Sequence, residues 1–412
     1  MFHAERHAEW LFDDSHYVEN NHGVMMDHAL LQFSLLIECV DPVLSSKYRE
    51  KTLQRLSMML TKTFLPDGYC TENSPSYHYV NFSLFTTIYH FLTKFSIEFD
   101  KEKWINILDK SKTAGELLLR PDGSIPLIGD SAHYPLAFFN KVRQHKKKGV
   151  SIYPNSGFFA FSSSVLHVTL RAGGTKFTHR HIDDISVTLW YNGQEFICDG
   201  GLYNYDIKDK KRRNFISCRS HRGIFVDTDK KISFKDFNLP CDMSRFTFLR
   251  YGRGEVLVSA KHNLLPGNEV ERKLSIQNGA IKIHDTLKSK ENERWFCQYL
   301  LHPSAYVELL EDKMGCIIKC PDDNKVIIRF DCVDVEQASL KIMQADYSDI
   351  FLNIKRTKKI IFSVEGDRGE IFTSIQLSGA REHTLLDSSN VFAYDFNEHG
   401  LVAFEWTEPF FV

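Results

Sequence analysis

His145-Lys146-Lys147-Lys148-Gly149, a charged run near the first third of the chain, separates two regions whose hydrophobic patterns differ. Before the run, apolar residues recur at helical spacing, as at Leu53, Leu56, Leu60 and Phe64, with Lys and Arg between them. After the run, short alternating segments rich in Val, Thr, Trp and Tyr are separated by Gly, Asn and Asp, a pattern typical of antiparallel strands. The run itself is either a solvated linker or a contact for an anionic polymer.

Both regions can be divided into expected elements. About five helices joined by short loops are expected before the run, and the clearest are Val24–Val40, Tyr48–Phe64, Phe82–Phe95 and Trp104–Leu119. Strands are expected at Val165–Leu170, Ser186–Tyr191, Glu255–Ala260, Ala280–Thr286, Gly315–Cys320, Lys325–Cys332, Lys358–Glu365 and Val402–Trp406. Many short strands in one region favour a β-sandwich or two stacked sheets. We therefore expect an α+β protein with a helical domain at residues 1–148 and a β-rich domain at 149–412.

Composition limits the class of function. The formal net charge of −2 over 412 residues provides no general field that would attract nucleic acid or an anionic membrane. No apolar run approaches the roughly 20 residues of a membrane span, and Met1–Arg6 lacks the basic-then-apolar order of a signal peptide. A cytosolic location is therefore expected, unless the protein is exported after removal of a leader. The nine cysteines are scattered singly apart from Cys316 and Cys320, which favours free buried thiols and a reducing compartment.

Residue types that serve in acid/base chemistry or metal binding are concentrated early in the strand-rich region. The segment Thr178-His179-Arg180-His181-Ile182-Asp183-Asp184 is followed by Asp199-Gly200-Gly201 and then by Ser220-His221-Arg222-Gly223. His179 and His181 are two residues apart, so we expect them to project from one side of a strand. Such a cluster suits a metal site or an acid/base pair. The structural alternatives are a polar strand face for the two histidines, a turn for Asp199 and simple exposure for His221.

Two further motifs lie in the helical region. Asn20-Asn21-His22-Gly23 precedes an expected helix, so an N-cap accounts for it without any catalytic role. Glu72-Asn73-Ser74-Pro75-Ser76-Tyr77-His78-Tyr79 places Pro75 where a helix could begin, but a helix start does not require Glu, Tyr and His together. Packing against the helices is the alternative for the tyrosines.

These motifs, together with Pro121-Asp122-Gly123-Ser124-Ile125-Pro126-Leu127-Ile128-Gly129-Asp130-Ser131 and Asp199-Gly200-Gly201-Leu202-Tyr203-Asn204-Tyr205, occur in one order along the chain. In that order they resemble the heparinase II/III family of polysaccharide lyases. The resemblance extends from Asn20 to about Asp227, and beyond that it is only of a β-rich tail. It implies a partial (α/α) toroid followed by an antiparallel β-sandwich, because the helical part is short for a full toroid of this family. It also implies cleavage of uronic-acid polysaccharides by β-elimination.

The resemblance implies catalytic roles for four residues. Asn21, with His22, would stabilise the charge on the substrate carboxylate, without which the weakly acidic C-5 proton cannot be removed. Tyr77 would serve as the base, the acid or both, and His179 would be its partner. A phenol, with an ordinary pKa of about 10, needs nearby cations or donors to act in this way at neutral pH.

Binding roles follow in the same way. Contacts to an acidic polysaccharide are expected from Glu72, His78 and Arg219. A divalent ion, zinc or a similar metal, is expected on three residues that suit its ligand preferences, namely His181, Asp199 and His221. The expected role of this ion is structural.

Three functions remain open at this point. A lyase requires Asn21, Tyr77 and His179 to act on one sugar, so we expect them to face a common groove. A catalytically weak glycan-binding protein of the same fold, associated with capsule or exopolysaccharide, is the first alternative. A metal oxygenase on a β-barrel, suggested by His-x-His and a later His, is the second. Formation of an unsaturated uronate would identify the lyase, and iron-dependent oxygen consumption would identify the oxygenase.

Overall fold

The computed structural model describes residues 2–133, 149–174, 179–221, 223–226, 244–263, 267–277, 279–322, 324–378 and 391–396. The chain divides into two compact units. One contains the residues up to Thr71 and Tyr77–Ala114, and the other contains Glu72–Ser76 and the residues from Gly115 onward. Residues 145–148 of the charged run and the strand expected at Val402–Trp406 lie outside the described residues.

The first unit is helical, as the sequence predicts. The helices before the strands are α1 (Phe2–Phe12), α2 (Asn21–Ile37), α3 (Pro42–Thr63), α4 (Pro75–Lys94) and α5 (Lys101–Leu117). Among the described residues, no helix combines the length and the apolarity that a membrane crossing needs.

Local signals determine where these helices begin. The side chain of Asn20 caps α2 by accepting a hydrogen bond from the backbone N–H of His22, so the N-cap interpretation of this motif is confirmed. Pro75 is the first residue of α4, as predicted. Position 23 requires a glycine for a steric reason, because a Cβ atom there would collide with the carbonyl oxygen of Val18.

The core of the helical unit follows from the same periodicity. Leu30 and Ile37 of α2 are buried with Tyr48 of α3 and Ala8 of α1, which places one apolar stripe of each helix in the interior. α1 was not predicted, since its sequence combines aromatic residues with many charged and His residues.

The second unit is rich in strands, and every ladder within its two sheets is antiparallel. The smaller sheet has the order β1-β2-β3-β4-β5. Its strands are β1 (Gly149–Tyr153), β2 (Phe158–Ser162), β3 (Leu166–Arg171), β4 (Val187–Tyr191) and β5 (Gln194–Ile197). A short helix, α6 (Lys210–Ile216), lies between this sheet and the next strand in the sequence.

The larger sheet has the order β11-β12-β13-β15-β10-β9-β8-β7-β16, with β14 paired to β15 and β6 paired to β10. Its strands are β6 (Ile224–Val226), β7 (Ser244–Gly252), β8 (Glu255–His262), β9 (Glu269–Gln277), β10 (Ala280–Leu300), β11 (Tyr306–Leu309), β12 (Gly315–Lys319), β13 (Lys325–Val333), β14 (Glu336–Ile350), β15 (Asn353–Leu377) and β16 (Phe392–Asp395).

One hydrophobic core joins the two sheets. Residues of the smaller sheet such as Phe161 and Leu189 belong to the same buried cluster as Leu274 and Ile375 of the larger one. No disulfide links the eight cysteines among the described residues, and five of the eight are buried, as the sequence indicated.

Candidate active site and metal centre

His179 and His181 lie in the connection between β3 and β4, not in a strand, so the expectation that they share a strand face is wrong. His179 adopts a left-handed backbone conformation with φ of 58°, which an extended strand does not contain. The two imidazoles still converge, because both contact the same carboxylate, that of Asp130. Tertiary contacts, and not the alternation of side chains along a strand, therefore bring the two imidazoles together.

A glycine allows this close approach. Gly129 has a φ of 59°, and a Cβ atom there would lie 2.6 Å from the carbonyl oxygen of His179. The neighbouring backbone N–H of Asp130 donates to that same oxygen at 3.1 Å. Any side chain at position 129 would push the two loops apart, and Asp130 would then lose its position beside the histidines.

Asp130 is the centre of a buried hydrogen-bond network. Its carboxylate accepts from Nδ1 of His179 at 3.0 Å and from Nε2 of His181 at 2.7 Å. Nη1 and Nη2 of Arg212 also donate to it, at 2.5 and 2.9 Å. Burial acts to raise the pKa of Asp130, but the bonds from His179 and His181 and the charge of Arg212 outweigh it, so the pKa lies well below its usual value. Asp130 is therefore an anion that orients both imidazoles.

His179 also faces a second carboxylate. Its Nε2 lies 3.6 Å from Oε2 of Glu72, while its Nδ1 is engaged by Asp130. The imidazole retains 18% of its exposure, whereas Asp130 is almost completely buried. His179 thus has a fixed ring orientation and access to solvent, as an acid/base group or its partner requires.

The segment that carries Glu72 is held by buried contacts within the second unit. Asn73, with φ of 57°, accepts a hydrogen bond from Nη2 of Arg171 at 2.9 Å. The hydroxyl groups of Ser74 and Ser131 are 2.8 Å apart. These bonds join the motif around Glu72 to the loop that contains Asp130, which explains why both motifs are rich in small polar residues.

His181, Asp199 and His221 converge as the sequence predicts. One potential ligand atom from each lies within 4.8 Å of the others, and all three residues are buried. Nδ1 of His221 lies 3.1 Å from Oδ1 of Asp199, and the two imidazole centroids are 5.0 Å apart. The solvent-exposed alternative for His221 is therefore wrong. Asp199 also lies within 3.5 Å of the backbone N–H of Gly201, so it serves the turn as well as the cluster.

The donor atoms that remain in this cluster fit a cation. Among the described residues, Nδ1 of His181 and Nε2 of His221 are buried without a hydrogen-bond partner, which is costly unless something else engages them. Burial lowers the pKa of His181 against the opposing effect of Asp130, and a neutral imidazole is the form that binds metal. Asp130 contacts the other ring nitrogen of His181, the arrangement by which carboxylates orient metal-bound histidines.

The predicted residues of the helical unit have different environments. Asn21 is the first residue of α2 and is half-buried, whereas His22 is exposed. Tyr77 is half-buried in the first turn of α4. His78 is fully buried: its Nδ1 accepts from the backbone N–H of Cys70 at 3.1 Å, and its Nε2 donates to the carbonyl of Ser111 at 2.9 Å. These bonds and a stacked Tyr69 give His78 a clear structural role.

The basic residues of the second unit also differ among themselves. Arg219 is exposed in the short turn Cys218–Ser220. Arg212 is buried against Asp130 and therefore does not contribute to a basic surface. Sequence reasoning gave Asp130, Asn73 and Arg171 no role. The role of Asp130 could have been suggested by its place in the Gly-Asp-Ser sequence of a motif that resembles the family.

Comparison with known proteins gives consistent results. A family model described as "Heparinase II/III-like, C-terminal" matches residues 145–376, more than half of the chain, and a "Heparinase II/III N-terminus" model matches residues 1–161. A search of curated proteins finds no significant match.

Solved structures share the fold at low sequence identity. A crystal structure of heparinase III has a TM-score of 0.75 and 13% identity, covering 92% of this chain and 66% of its own. The heparan sulfate lyase HepC from Pedobacter heparinus has a TM-score of 0.72 and 18% identity, with coverage of 94% and 62%. A heparinase III gene product with methylated lysines has a TM-score of 0.74 and 15% identity, and the match covers 88% of this chain and 59% of that structure. This chain thus spans about three fifths of the length of these structures. On the strength of its two family matches, the chain belongs to the heparinase II/III-like family.

Proposed function

We propose that this protein is a polysaccharide lyase that cleaves a uronic-acid-containing acidic glycan by β-elimination. The observation that carries the proposal is a partly exposed His179 whose ring is oriented by buried Asp130 and faces Glu72, in a chain of this family. The structural neighbours heparinase III and heparan sulfate lyase support a carbon–oxygen lyase acting on an acidic polymer.

In the proposed reaction, Asn21 and His22 stabilise the developing charge on the substrate carboxyl group. A base removes the C-5 proton, and its electron pair forms the C4–C5 double bond. The bond from C-4 to the glycosidic oxygen breaks, and the departing oxygen takes its electron pair and then a proton. Tyr77 is assigned the proton transfers, with His179 as its partner.

The position of Tyr77 in the sequence supports this assignment. Tyr77 directly follows Glu72–Ser76, the segment that belongs to the second unit and contacts His179 through Glu72. Glu72 and Arg219 are proposed as substrate-binding residues, and the exposed guanidinium of Arg219 suits a carboxylate or sulfate directly. Direct contact of His78 with substrate, expected from the sequence, does not fit its burial and its bonds to Cys70 and Ser111, so His78 is proposed to act by holding the start of α4.

We also propose a divalent ion, zinc or a similar metal, on His181, Asp199 and His221. Two imidazoles and a carboxylate suit zinc, and the two unsatisfied ring nitrogens support the assignment. Such an ion would supply a crosslink between the β3–β4 connection and the segments around Asp199 and His221. Asp130, by bonding to both His179 and His181, would extend that rigidity to the catalytic histidine.

At the level of the fold, we propose a partial (α/α) toroid at residues 1–148 and a β-sandwich at 149–412. The core shared by the two sheets supports the sandwich.

A screen of acidic polysaccharides tests the function. Purified protein would be incubated with heparan sulfate, hyaluronan, alginate and bacterial capsules, and the unsaturated uronate product would be followed by its ultraviolet absorbance. Product with one of these polymers is expected. Binding of a polymer without product would instead support a glycan-binding protein of the same fold.

A further inference from the structure

An apolar patch lies on the surface of the second unit. It consists of large apolar side chains of a kind that is usually buried. Tyr205 is 47% exposed, Phe351 is 48% exposed and Leu352 is 61% exposed. Ile207 and Ile350, close to them in the sequence, are also about half exposed. Contiguous exposed apolar surface commonly marks a binding site.

The patch begins beside the candidate catalytic histidine. The ring of Tyr205 meets that of His179 edge to face, with centroids 5.9 Å apart. On its other side Tyr205 contacts Phe351 at 5.6 Å, with the two ring planes 31° apart. His179, Tyr205 and Phe351 therefore form a continuous row of rings that leads away from the site.

Backbone contacts fix this row in place. Phe351 and Leu352 form the turn between β14 and β15, and the N–H of Leu352 donates to the carbonyl of Tyr203 at 2.8 Å. The hydroxyl of Ser348 donates to the carbonyl of Leu202 at 3.0 Å. Leu352 has φ of 62°, an unfavourable conformation for leucine, and strain of this kind is concentrated at functional sites.

The segment that follows Tyr205 carries a net positive charge. Lys208, Lys210 and Lys211 are exposed on the segment that follows Tyr205, and the ammonium of Lys211 lies 5.8 Å from the ring centroid of Tyr203. Asp206 and Asp209 are the acidic residues of the same segment, and Asp209 is engaged in capping α6. The segment 205–213 therefore has a net positive charge, which complements an acidic glycan better than a membrane interior or an apolar protein.

We propose that Tyr205 and Phe351 form an aromatic platform on which a sugar ring of an acidic oligosaccharide stacks. This sugar would be the neighbour of the one whose glycosidic bond is cleaved beside His179. This inference rests on the proposed function. A pyranose ring presents C–H groups on its faces, and an aromatic face is negative at its centre, so stacking binds the sugar while the carboxylate or sulfate groups reach the lysines. The platform would position the chain and contribute to the choice of polymer without taking part in proton transfer.

The test compares Phe351→Ala, Tyr205→Ala, Phe351→Leu and Tyr205→Phe with wild type. Tyr306→Ala serves as a matched control, because Tyr306 is similarly exposed on β11 of the same unit. Binding of heparan sulfate, hyaluronan and alginate oligosaccharides would be measured by calorimetry, and kcat and KM would be measured on any polymer that is cleaved. Melting temperatures would verify folding.

Removal of either ring is expected to weaken binding and raise KM by roughly tenfold, with kcat changed less than threefold. Tyr306→Ala should behave as wild type, Tyr205→Phe should bind more tightly than Tyr205→Ala because it keeps the ring, and Phe351→Leu should resemble Phe351→Ala. Binding by both alanine variants within twofold of wild type would overturn the platform, as would wild-type binding by Phe351→Leu. Self-association of wild type that Phe351→Ala abolishes, with unchanged glycan binding, would also overturn it.

The two proposals can fail separately. If wild type binds an oligosaccharide without cleaving it, the lyase proposal fails and the binding data alone decide the platform. If wild type cleaves a polymer and the alanine variants match it in KM, only the platform fails. If wild type binds none of the oligosaccharides and cleaves none of the screened polymers, both are overturned.

Discussion

Replacement of Asp130 by Asn removes one charge from the centre of the network while preserving the size of the side chain. The carboxylate accepts four hydrogen bonds, two from Arg212 and one each from His179 and His181. An amide offers one acceptor oxygen, and its NH₂ group would face a donor. Arg212 would then be a buried cation without a charged partner.

The expected loss is large for a single-atom change. Removal of one partner from a buried ion pair costs about 3–5 kcal/mol, and we expect the free energy of unfolding of the second unit to fall by that amount. Loss of the carboxylate that orients a metal-bound histidine typically weakens metal binding by about 10–100-fold. Activity should fall with it, because His179 loses the bond that fixes its ring.

Urea unfolding followed by near-ultraviolet circular dichroism measures the stability, with chelator present so that metal loss does not contribute. Asp312→Asn is the matched control, since Asp312 pairs with Arg329 at 2.6 Å but both side chains are about half exposed. Exposed pairs of this kind contribute at most about 1 kcal/mol. If Asp130→Asn destabilises no more than Asp312→Asn does, the network is not the organising centre of the site.

Three further predictions concern chemistry, metal and pH. Tyr77→Phe should lower turnover by about 10²–10⁴-fold with little change in melting temperature, and activity within threefold of wild type would contradict its role. Purified protein should contain close to one equivalent of a divalent ion by elemental analysis, lost in His181→Ala; equal metal content in both proteins would argue against the site. Burial lowers the pKa of His78 to about 4, below its unfolded value of about 6.5, so the stability that it contributes is complete above about pH 6.5 and lost as the pH falls toward 4. Relative to His78→Gln, wild type should lose about 3 kcal/mol over that interval in urea titrations, and parallel pH curves would refute the assignment.

Sequence alone indicated the change from helices to antiparallel strands along the chain, because this change depends on local signals, although α1 and several strands such as β9 and β14 were not predicted. Pro75 starts α4 as expected, and the predicted Val24–Val40 overlaps most of α2, which begins just after its cap at Asn20. The period of apolar residues correctly located β4 and β8. It underestimated the lengths of β10 and β15. A long strand that bends or contains a bulge loses its simple alternation, and β10 has such an irregularity after Lys288.

The three residues of the candidate metal site were also accessible from the sequence, because the motifs that resemble the family implied them and their side-chain types suit a metal ion. His181, Asp199 and His221 lie within ligand distance of one another as expected. The geometry around them was not accessible. The sequence pattern predicted a strand for His179 and His181, whereas the structure has a loop with a left-handed residue at 179.

Tertiary structure decided which groups orient the histidines. Asp130 is separated from His179 by 49 positions and from Arg212 by 82, and no periodicity in the sequence reports on contacts so distant. The same holds for Phe351, which lies beside Tyr205 only because β14 and β15 form a hairpin whose turn bonds to Tyr203. The sequence shows directly which residue types are present. The distance between two distant side chains depends instead on how whole strands and loops pack, and that packing is determined by the total burial of apolar surface.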